Sequence, residues 1–236
     1  MIDMSGKPVI YLIPGLLSDD NINVLPASNL EAIKECSVLF VENERTTRRF
    51  LKKIWKEIDI DSYEWFNMTN EDSAGSFRKK INEGKTIGII SEAGCPGIAD
   101  PGQELVALAQ EMGIEVKPLV GPSSILLALM GSGMNGQQFQ FNGYLPIKQP
   151  ERNKAIKELE AESLKKKCTQ IFIETPYRNN QLINDLLSSC QLNTKLCIAV
   201  DLTGVNEFIK TRSVSEWKKD KPDIHKRTAI FLLHSS

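Results

Sequence analysis

Short apolar runs alternate with longer amphipathic segments along the first half of the chain. Each run has four or five residues and is bounded by turn-forming residues, which predicts a buried β-strand. The segments between them repeat apolar residues three and four apart, the spacing of a helix with one buried face. Strands are predicted at 9–13, 38–41, 63–66, 86–90 and 114–118, and helices at 28–35, 46–56, 76–83, 104–112 and 123–130. The alternation favours a mostly parallel sheet covered by helices on both faces.

The second half of the chain begins with the same alternation and ends differently. Strands are predicted at 139–144 and 170–174, with helices at 152–167 and 180–190. Three strand-like runs then follow one another, at 195–202, 207–213 and 228–233. Consecutive strands are commonly antiparallel, so the second half is predicted to form a mixed sheet. Ser28 and Glu31 have the spacing of a capping box for the first helix of the chain.

The net charge of −1 over 236 residues limits how the chain can meet a polyanion. A protein with that balance has no overall basic field, so any contact with nucleic acid must use a local patch. One candidate is the lysine-rich segment 210–227 around Trp217, for which a solvated surface is the alternative. The hydrophobic fraction of 41% is ordinary for a globular protein.

The sequence shows no pattern typical of a membrane span, a signal peptide, a disulfide framework or a metal site. No apolar run approaches the ~20 residues of a membrane span, and the first residues show no signal-peptide pattern. We therefore expect a cytoplasmic protein. The five cysteines form no CxxC pair, and His225 and His234 lack a metal-ligand spacing. Neither a disulfide framework nor a metal site is expected.

Three glycine-bearing loops directly follow predicted strands, at 14–19, 91–102 and 120–124. Ligands of open α/β sheets bind beyond the carboxyl ends of the strands, where glycine lets a ligand reach the main chain. The loop at 91–102 holds two prolines and three glycines in twelve residues, more than a simple turn needs. Neither G-x-G-x-x-G after the first strand nor a P-loop motif occurs, which argues against dinucleotide and P-loop nucleotide binding.

The loops also carry a resemblance to a known family. Residues 91–102, Ser-Glu-Ala-Gly-Cys-Pro-Gly-Ile-Ala-Asp-Pro-Gly, resemble the S-D-A-G-T-P-G-I-S-D-P-G signature of the ribosomal RNA small subunit ribose-2′-O-methyltransferases. Other segments agree in the same order: 41–48 resembles A-E-D-T-R-x-T-R, 120–124 P-G-P-S-A, 141–146 F-x-G-F-L-P, 173–178 Y-E-x-P-H-R and 201–203 E-L-T. The chain is thus similar, from about residue 9 to residue 233, to a family within the tetrapyrrole (corrin/porphyrin) methylase superfamily.

The resemblance implies a fold and a cofactor. The fold would be α/β, with two αβα domains: residues 1–120 with a mostly parallel sheet and residues 121–236 with a mixed sheet. S-adenosylmethionine would bind in the cleft between them, usually in a homodimer. The residues that the resemblance assigns to the cofactor are Pro14, Ser91, Ala93, Gly94, Cys95, Gly97, Ile98, Leu145, Glu174 and Leu202.

Charged residues near the same loops are the candidates for chemistry. Glu42 follows the second strand and can serve as the base that accepts the proton of a ribose hydroxyl. Its alternative role is an ion pair with Arg45 or Arg48. Arg45 and Glu92 complete the predicted catalytic set. The substrate-binding candidates are Arg48, Ser123, Arg152 and Arg178. The alternatives are a solvated helix face for Arg48, a helix cap for Ser123 and a surface ion pair for Arg178.

Three functions are compatible with these residues. The first is methylation of a ribose 2′-hydroxyl in small-subunit ribosomal RNA, with that RNA or its subunit as the partner. The second is C-methylation of a corrin-type tetrapyrrole, whose acidic groups would also suit the arginines. The third is a cofactor-binding module without catalysis, suggested because Asn43, Tyr177 and Gly204 stand where the family has other polar residues.

Overall fold

A computed structural model describes residues 8–235 of the chain. The chain divides into two compact units, the first ending at Ser123 and the second beginning at Ser124. Within the described residues, no helix has both the length and the apolar character that crossing a bilayer requires.

The first unit is an all-parallel sheet with helices on both faces, as the alternating pattern predicts. Its five strands lie in the order β3-β2-β4-β1-β5. The elements are β1 (Val9–Ile13), α1 (Ala27–Glu35), β2 (Val38–Val41), α2 (Glu44–Ile54), β3 (Glu64–Asn67), α3 (Ser73–Asn82), β4 (Ile87–Ile90), α4 (Gln103–Glu111) and β5 (Glu115–Pro118). Two short 3₁₀ helices, Ile22–Val24 and Ile60–Ser62, lie in the connections.

The two faces of the first sheet bury separate clusters of apolar side chains. Ile33 of α1 and Leu51 of α2 pack against one face, and Phe77 of α3 and Leu108 of α4 against the other. The helices change face because the connections from β1 and β2 run towards β3 and those from β3 and β4 run back towards β5. The connections leaving β1 and β4 therefore diverge, and a crevice beside such a point is where ligands of open α/β sheets bind.

The second unit has the mixed sheet that the final three strands predict. Its order is β6-β7-β10-β8-β9, with β6 parallel to β7 and the other neighbouring pairs antiparallel. The elements are α5 (Ser124–Ser132), β6 (Phe139–Tyr144), α6 (Gln149–Lys166), β7 (Thr169–Ile173), α7 (Asn179–Ser189), β8 (Lys195–Val200), β9 (Phe208–Ser213), α8 (Val214–Lys219) and β10 (Ala229–His234).

The capping box predicted at Ser28 and Glu31 is wrong. The first helix is preceded by Pro26, and no side chain caps it. A capping box does form at α8, where Ser213 and Glu216 bond each other's main-chain amides. The sequence does not predict this helix, because its buried residue Trp217 stands in a segment rich in lysine. Trp217 is 2% exposed and donates its indole N–H to the Leu196 carbonyl at 2.8 Å, so it belongs to the core of the second unit.

Candidate functional site

The three glycine-bearing loops meet at the carboxyl ends of three neighbouring strands, β4, β1 and β5. The Gly15 amide donates to the Gly94 carbonyl at 2.8 Å and so joins the first loop to the second. The Cys95 sulfur lies 3.6 Å from the Pro122 carbonyl, next to the third loop. The loops therefore form one surface on the first unit, beside the diverging connections.

Close main-chain approach explains a glycine in the third loop. A Cβ atom at Gly121 would lie only 2.2 Å from Cβ of Pro14. The proline ring is rigid, so a side chain at this position must push the first and third loops apart. The contact between them depends on glycine having no side chain.

Replacing Gly121 with Ala is expected to lower the free energy of unfolding by about 1–3 kcal/mol, the usual cost of overpacking a well-packed site. Thermal unfolding measures the effect. Gly136→Ala is the matched control, because a Cβ there meets nothing within 4 Å. Equal stability in both variants would show that the Pro14 contact is unimportant.

The loop at 91–102 is partly exposed. Ala93 is exposed and Ile98 is 54% exposed, whereas Ser91, Gly94 and Pro96 are buried. Internal bonds hold this shape: the Gly97 amide donates to the Pro101 carbonyl at 3.3 Å, and the Ile98 amide to the Cys95 carbonyl at 3.2 Å. Ala99 has φ 63°, a strained conformation that the surrounding loop imposes. A loop with this rigidity can bind a nucleoside-sized ligand through main-chain groups at little entropic cost.

Glu42 lies directly after β2, at the edge of this surface. Its Oε2 accepts the amide of Glu92 at 3.2 Å, and the Asn67 side chain donates to its carbonyl at 3.1 Å. Glu92 in turn accepts the Thr46 hydroxyl at 2.8 Å. Two of the three predicted catalytic residues are therefore neighbours, and Glu42 is held by the 91–102 loop instead of by Arg45 or Arg48.

The charges of these two carboxylates affect the pKa of a third, Asp100. Burial raises the pKa of Asp100 to about 6, and the negative charges of Glu42 and Glu92 add to the shift. The side chain also lines a cavity of about 490 Å³ with Asn70 and Gln103. This part of the site therefore disfavours additional negative charge.

Raising the pH from about 4 to above 6 is expected to destabilise the wild-type protein relative to an Asp100→Asn variant. Between the unfolded pKa of 3.8 and the folded value of about 6, the folded state binds more protons than the unfolded state. The free energy of unfolding therefore falls as the pH rises through this window. Asn imitates the neutral carboxyl and removes the effect. Urea unfolding across this range tests the prediction, with Asp20→Asn as an exposed control. Parallel pH profiles for wild type and Asp100→Asn would contradict it.

The two arginines of α2 that the sequence singles out have different surroundings. Arg48 donates to Glu44 at 2.8 Å and Asp61 at 3.0 Å, and stacks on Trp65. The hydrogen bonds to these carboxylates raise its pKa further. Arg45 is exposed, and within residues 8–235 its guanidinium makes no hydrogen bond or ion pair. Only Arg45 is thus available to a ligand without breaking an existing contact.

The second unit places its predicted cofactor residues at one edge of the sheet. Leu145, Glu174 and Leu202 follow the carboxyl ends of β6, β7 and β8. Glu174 Oε1 accepts the guanidinium of Arg178 at 2.6 Å, whereas its Oε2 is buried with no hydrogen-bond partner among the described residues. The Thr203 hydroxyl, after β8, is also buried and unpartnered there. Such groups are costly unless a ligand or water satisfies them.

Two of the remaining substrate-binding candidates, Arg152 and Arg178, make structural contacts. Arg152 is 1% exposed; its Nε bonds Asp185 at 2.7 Å and its Nη1 bonds the Ile147 carbonyl at 2.6 Å. Arg178 is held by Glu174, and Ser123 directly precedes α5. We therefore leave Arg152 out of the substrate set proposed below.

One cavity was not predicted from the sequence. It has a volume of about 470 Å³ and lies between the first loop, α2 and the second loop. Arg49 and Lys53 line it together with Phe50, Leu17 and Glu92. The spacing of the two cations, four residues apart, was available in the sequence, but it did not distinguish a ligand site from a solvated surface.

The described residues fit a nucleoside-type cofactor better than a metal ion. Across residues 8–235, no group of three or more His, Cys, Asp or Glu side chains is arranged to hold a metal. On the first unit, the loops at 14–19, 91–102 and 120–124 instead form one surface suited to an organic ligand. On the second unit, the unpartnered Oε2 of Glu174 offers a hydrogen bond to a polar ligand. These features define the class of a two-unit α/β protein in which each unit has candidate ligand-binding groups beyond its strand ends.

Two solved structures share this fold. The methyltransferase CobJ superposes with a TM-score of 0.63 at 14% identity, covering 98% of this chain and 95% of its own. Diphthine synthase superposes with a TM-score of 0.64 at 13% identity, covering 96% of this chain and 89% of its own.

Sequence comparison gives the family. Residues 21–217 match the model of the Tetrapyrrole (Corrin/Porphyrin) Methylases. The ribosomal RNA small subunit methyltransferase I of Vibrio cholerae is 28% identical, over 98% of this chain and 78% of its own length. The protein of that name from Escherichia coli O157:H7 is 28% identical, over 95% of this chain and 77% of its own length. That from Micromonospora olivasterospora is 32% identical, over 78% of this chain and 56% of its own length. The chain belongs to the tetrapyrrole methylase family and is an S-adenosylmethionine-dependent methyltransferase.

Proposed function

We propose that the chain methylates a ribose 2′-hydroxyl of small-subunit ribosomal RNA. The observation that carries the proposal is the carboxylate of Glu42, held at the end of β2 by the Glu92 amide of the 91–102 loop. A hydroxyl nucleophile needs a nearby base, and a carboxylate fixed beside the cofactor loops meets that need. The relatives, which are small-subunit ribosomal RNA methyltransferases, support the choice of substrate.

The chain's own part in the reaction is to bind, orient and accept a proton. Bound S-adenosylmethionine supplies a methyl group on a positively charged sulfur. In the proposed site, Pro14 and the main chain of residues 91–98 hold the cofactor. Oε1 of Glu42 accepts the proton of the attacking hydroxyl, while the Glu92 amide keeps Oε2 in place. Holding the hydroxyl and the methyl group in place contributes much of the rate acceleration, because their translational and rotational entropy is already lost on binding and not in the reaction step.

Glu92 and Arg45 have supporting roles in this proposal. Glu92 is anchored by Thr46 at 2.8 Å, which fixes the start of the loop against α2. Arg45, exposed at the first turn of α2, would contact the RNA close to the reacting ribose. Leu145, Glu174 and Leu202 remain predicted cofactor contacts of the second unit. We further propose that the enzyme acts in the cytoplasm, where ribosomal subunits are found, as a homodimer.

Methyl transfer to purified substrates tests the proposal. Small ribosomal subunits from a bacterial strain lacking its own corresponding methyltransferase are incubated with the protein and radiolabelled S-adenosylmethionine. The RNA is then digested to nucleosides, and label is expected in one 2′-O-methylated nucleoside. A parallel reaction uses a precorrin-type tetrapyrrole. Label only in the tetrapyrrole would overturn the proposal in favour of C-methylation, and no transfer despite cofactor binding would favour a non-catalytic module.

A further inference from the structure

We propose that the cavity beside α2, with the cations Arg49 and Lys53 that line it, binds the phosphodiester backbone of the RNA next to the methylated nucleotide. The inference rests on the proposed function, since it specifies how that substrate is held. Neither residue belongs to the sequence segments that resemble the methyltransferase family. Both lie in the basic helix that the sequence predicts, but the cavity that they line exists only in the folded chain.

The cavity has the position that such a contact requires. Its volume of about 470 Å³ is within the range of small-ligand sites. Glu92 and Ala93 of the 91–102 loop form one side, so a strand bound here would pass the cofactor loop. Phe50 and Leu17 provide apolar walls against which a ribose or a base can pack.

The cations of α2 differ in their contacts. Arg48 is paired with the carboxylates of Glu44 and Asp61. In contrast, Arg49 makes no ion pair or side-chain hydrogen bond within residues 8–235. Lys53 donates one hydrogen bond to the main-chain carbonyl of Asp19, whose carboxylate is 3.7 Å away and 95% exposed, an ion pair that contributes little. Arg49 therefore keeps its whole guanidinium available for an anion, and Lys53 keeps its charge and two of its three N–H donors.

Spacing along the helix favours an extended polyanion over a single small anion. Arg45, Arg49 and Lys53 follow one another at intervals of four residues, so they form one row about 12 Å long. Like charges at this spacing destabilise an isolated helix by a few tenths of a kcal/mol per pair. Within the described part of the chain, Arg45 and Arg49 form no ion pair, and the carboxylates that line the cavity with Arg49 are those of Asp19 and Glu92. A phosphodiester chain would bring several negative charges to the row at once.

The row of cations on α2 is also consistent with the low net charge of the chain. A protein with net charge −1 cannot attract RNA through its overall field. It must concentrate cations where the strand lies, and the row on α2 does so beside the proposed reacting groups. Arginine is suited to this contact because its planar fork binds two phosphate oxygens.

The test compares a neutralised pair with a matched pair elsewhere on the first unit. The variant is Arg49→Gln with Lys53→Gln. The control is Arg78→Gln with Lys79→Gln on α3, which are exposed, remove the same charge and lie on a helix that packs on the other face of the sheet. Binding to a naked fragment of small-subunit RNA is measured by fluorescence anisotropy between about 50 and 200 mM salt.

The cavity variant is expected to bind the RNA at least about tenfold more weakly at low salt. Its plot of log affinity against log salt should be shallower by about 1–2, because each lost phosphate contact reduces the slope by roughly 0.7–0.9. Its affinity for S-adenosylmethionine should be unchanged, which also shows that it is folded. The control variant should show a smaller effect on both the affinity and the slope.

The outcomes separate this inference from the proposed function. If the wild type methylates ribosomal subunits and both variants bind RNA alike, the cavity inference is overturned and the proposed function stands. If RNA binding depends on the cavity but no methyl group is transferred, the proposed function fails, and the part of the inference that stands is that the cavity binds an RNA backbone. Loss of binding to intact subunits with unchanged binding to naked RNA would assign the cavity to an acidic ribosomal protein, and the inference would be overturned.

Discussion

Replacing Glu42 with Gln is expected to lower kcat for methyl transfer by about 10²–10⁴-fold, the usual contribution of a general base. The amide has nearly the same shape, and its oxygen can still accept the Glu92 amide now 3.2 Å away. The loop geometry, and with it the affinity for S-adenosylmethionine, should therefore be unchanged. Single-turnover transfer to small ribosomal subunits measures the rate, and titration calorimetry measures cofactor binding.

Glu44→Gln is the matched control for this variant. Glu44 lies two residues further on, in the first turn of α2, and its side chain is 52% exposed and paired with Arg48. The control removes one carboxylate from the same region without touching the loop, so activity should stay close to wild type. If Glu42→Gln transferred methyl groups as fast as Glu44→Gln, Glu42 would not be the base, and the role would have to move to Glu92 or Asp100.

Replacing Asp185 with Ala is expected to lower the free energy of unfolding by about 3–5 kcal/mol. Asp185 is 2% exposed and accepts Nε of Arg152, which is 1% exposed, at 2.7 Å. It also accepts the Gln149 side chain at 2.9 Å. Its removal leaves a buried guanidinium without its counter-charge, which costs far more than a surface ion pair is worth. Urea unfolding followed by circular dichroism measures the change.

Two further variants show whether the buried charge is the cause. Glu162→Ala removes an exposed partner of Lys166 in the same unit, a 2.7 Å pair, and should cost less than about 1 kcal/mol. The double change Arg152→Met with Asp185→Leu removes both charges and should recover much of the lost stability, because apolar pairs often replace buried ion pairs well. A double variant as unstable as Asp185→Ala would mean that the hydrogen bonds from Arg152 to the 146–147 carbonyls matter more than the charge.

The same ion pair also places the loop after β6. Arg152 Nη1 donates to the Ile147 carbonyl at 2.6 Å, two residues beyond Leu145, a predicted cofactor contact. An unpaired Arg152 would release this hydrogen bond as well. Arg152, first considered as a residue that grips substrate, thus acts as a structural support for a neighbouring loop.

The elements of the fold could be predicted closely from the sequence. The predicted bounds of β1, β2 and β6 agree with the structure. Apolar periodicity depends on neighbours along the chain, so it survives without knowledge of the tertiary structure. The prediction failed at α8, where the apolar anchor Trp217 stands among lysines, and at the start of α1, where a plausible capping box is not used.

The candidate site could be predicted only in part. The three glycine-bearing loops were identified because glycine and proline mark turns, and because they resemble a known family in order. The sequence could not predict which charged side chains are already paired and with which partners. Arg48 binds Asp61, thirteen positions away, and Arg152 binds Asp185, thirty-three positions away. Arg49 and Lys53 gained significance only through the cavity that they line.

The sequence by itself determined the two-part α/β organisation, the nature of the final mixed sheet and the loops that carry the methyltransferase signature. Only the tertiary structure decided which carboxylates are neighbours, which arginines are already paired and where a cavity opens beside α2. The physical reason is the range of the interactions. Helix and strand periodicity and turn chemistry act over a few residues, whereas ion pairs, burial and cavities depend on segments that folding brings together from distant parts of the chain.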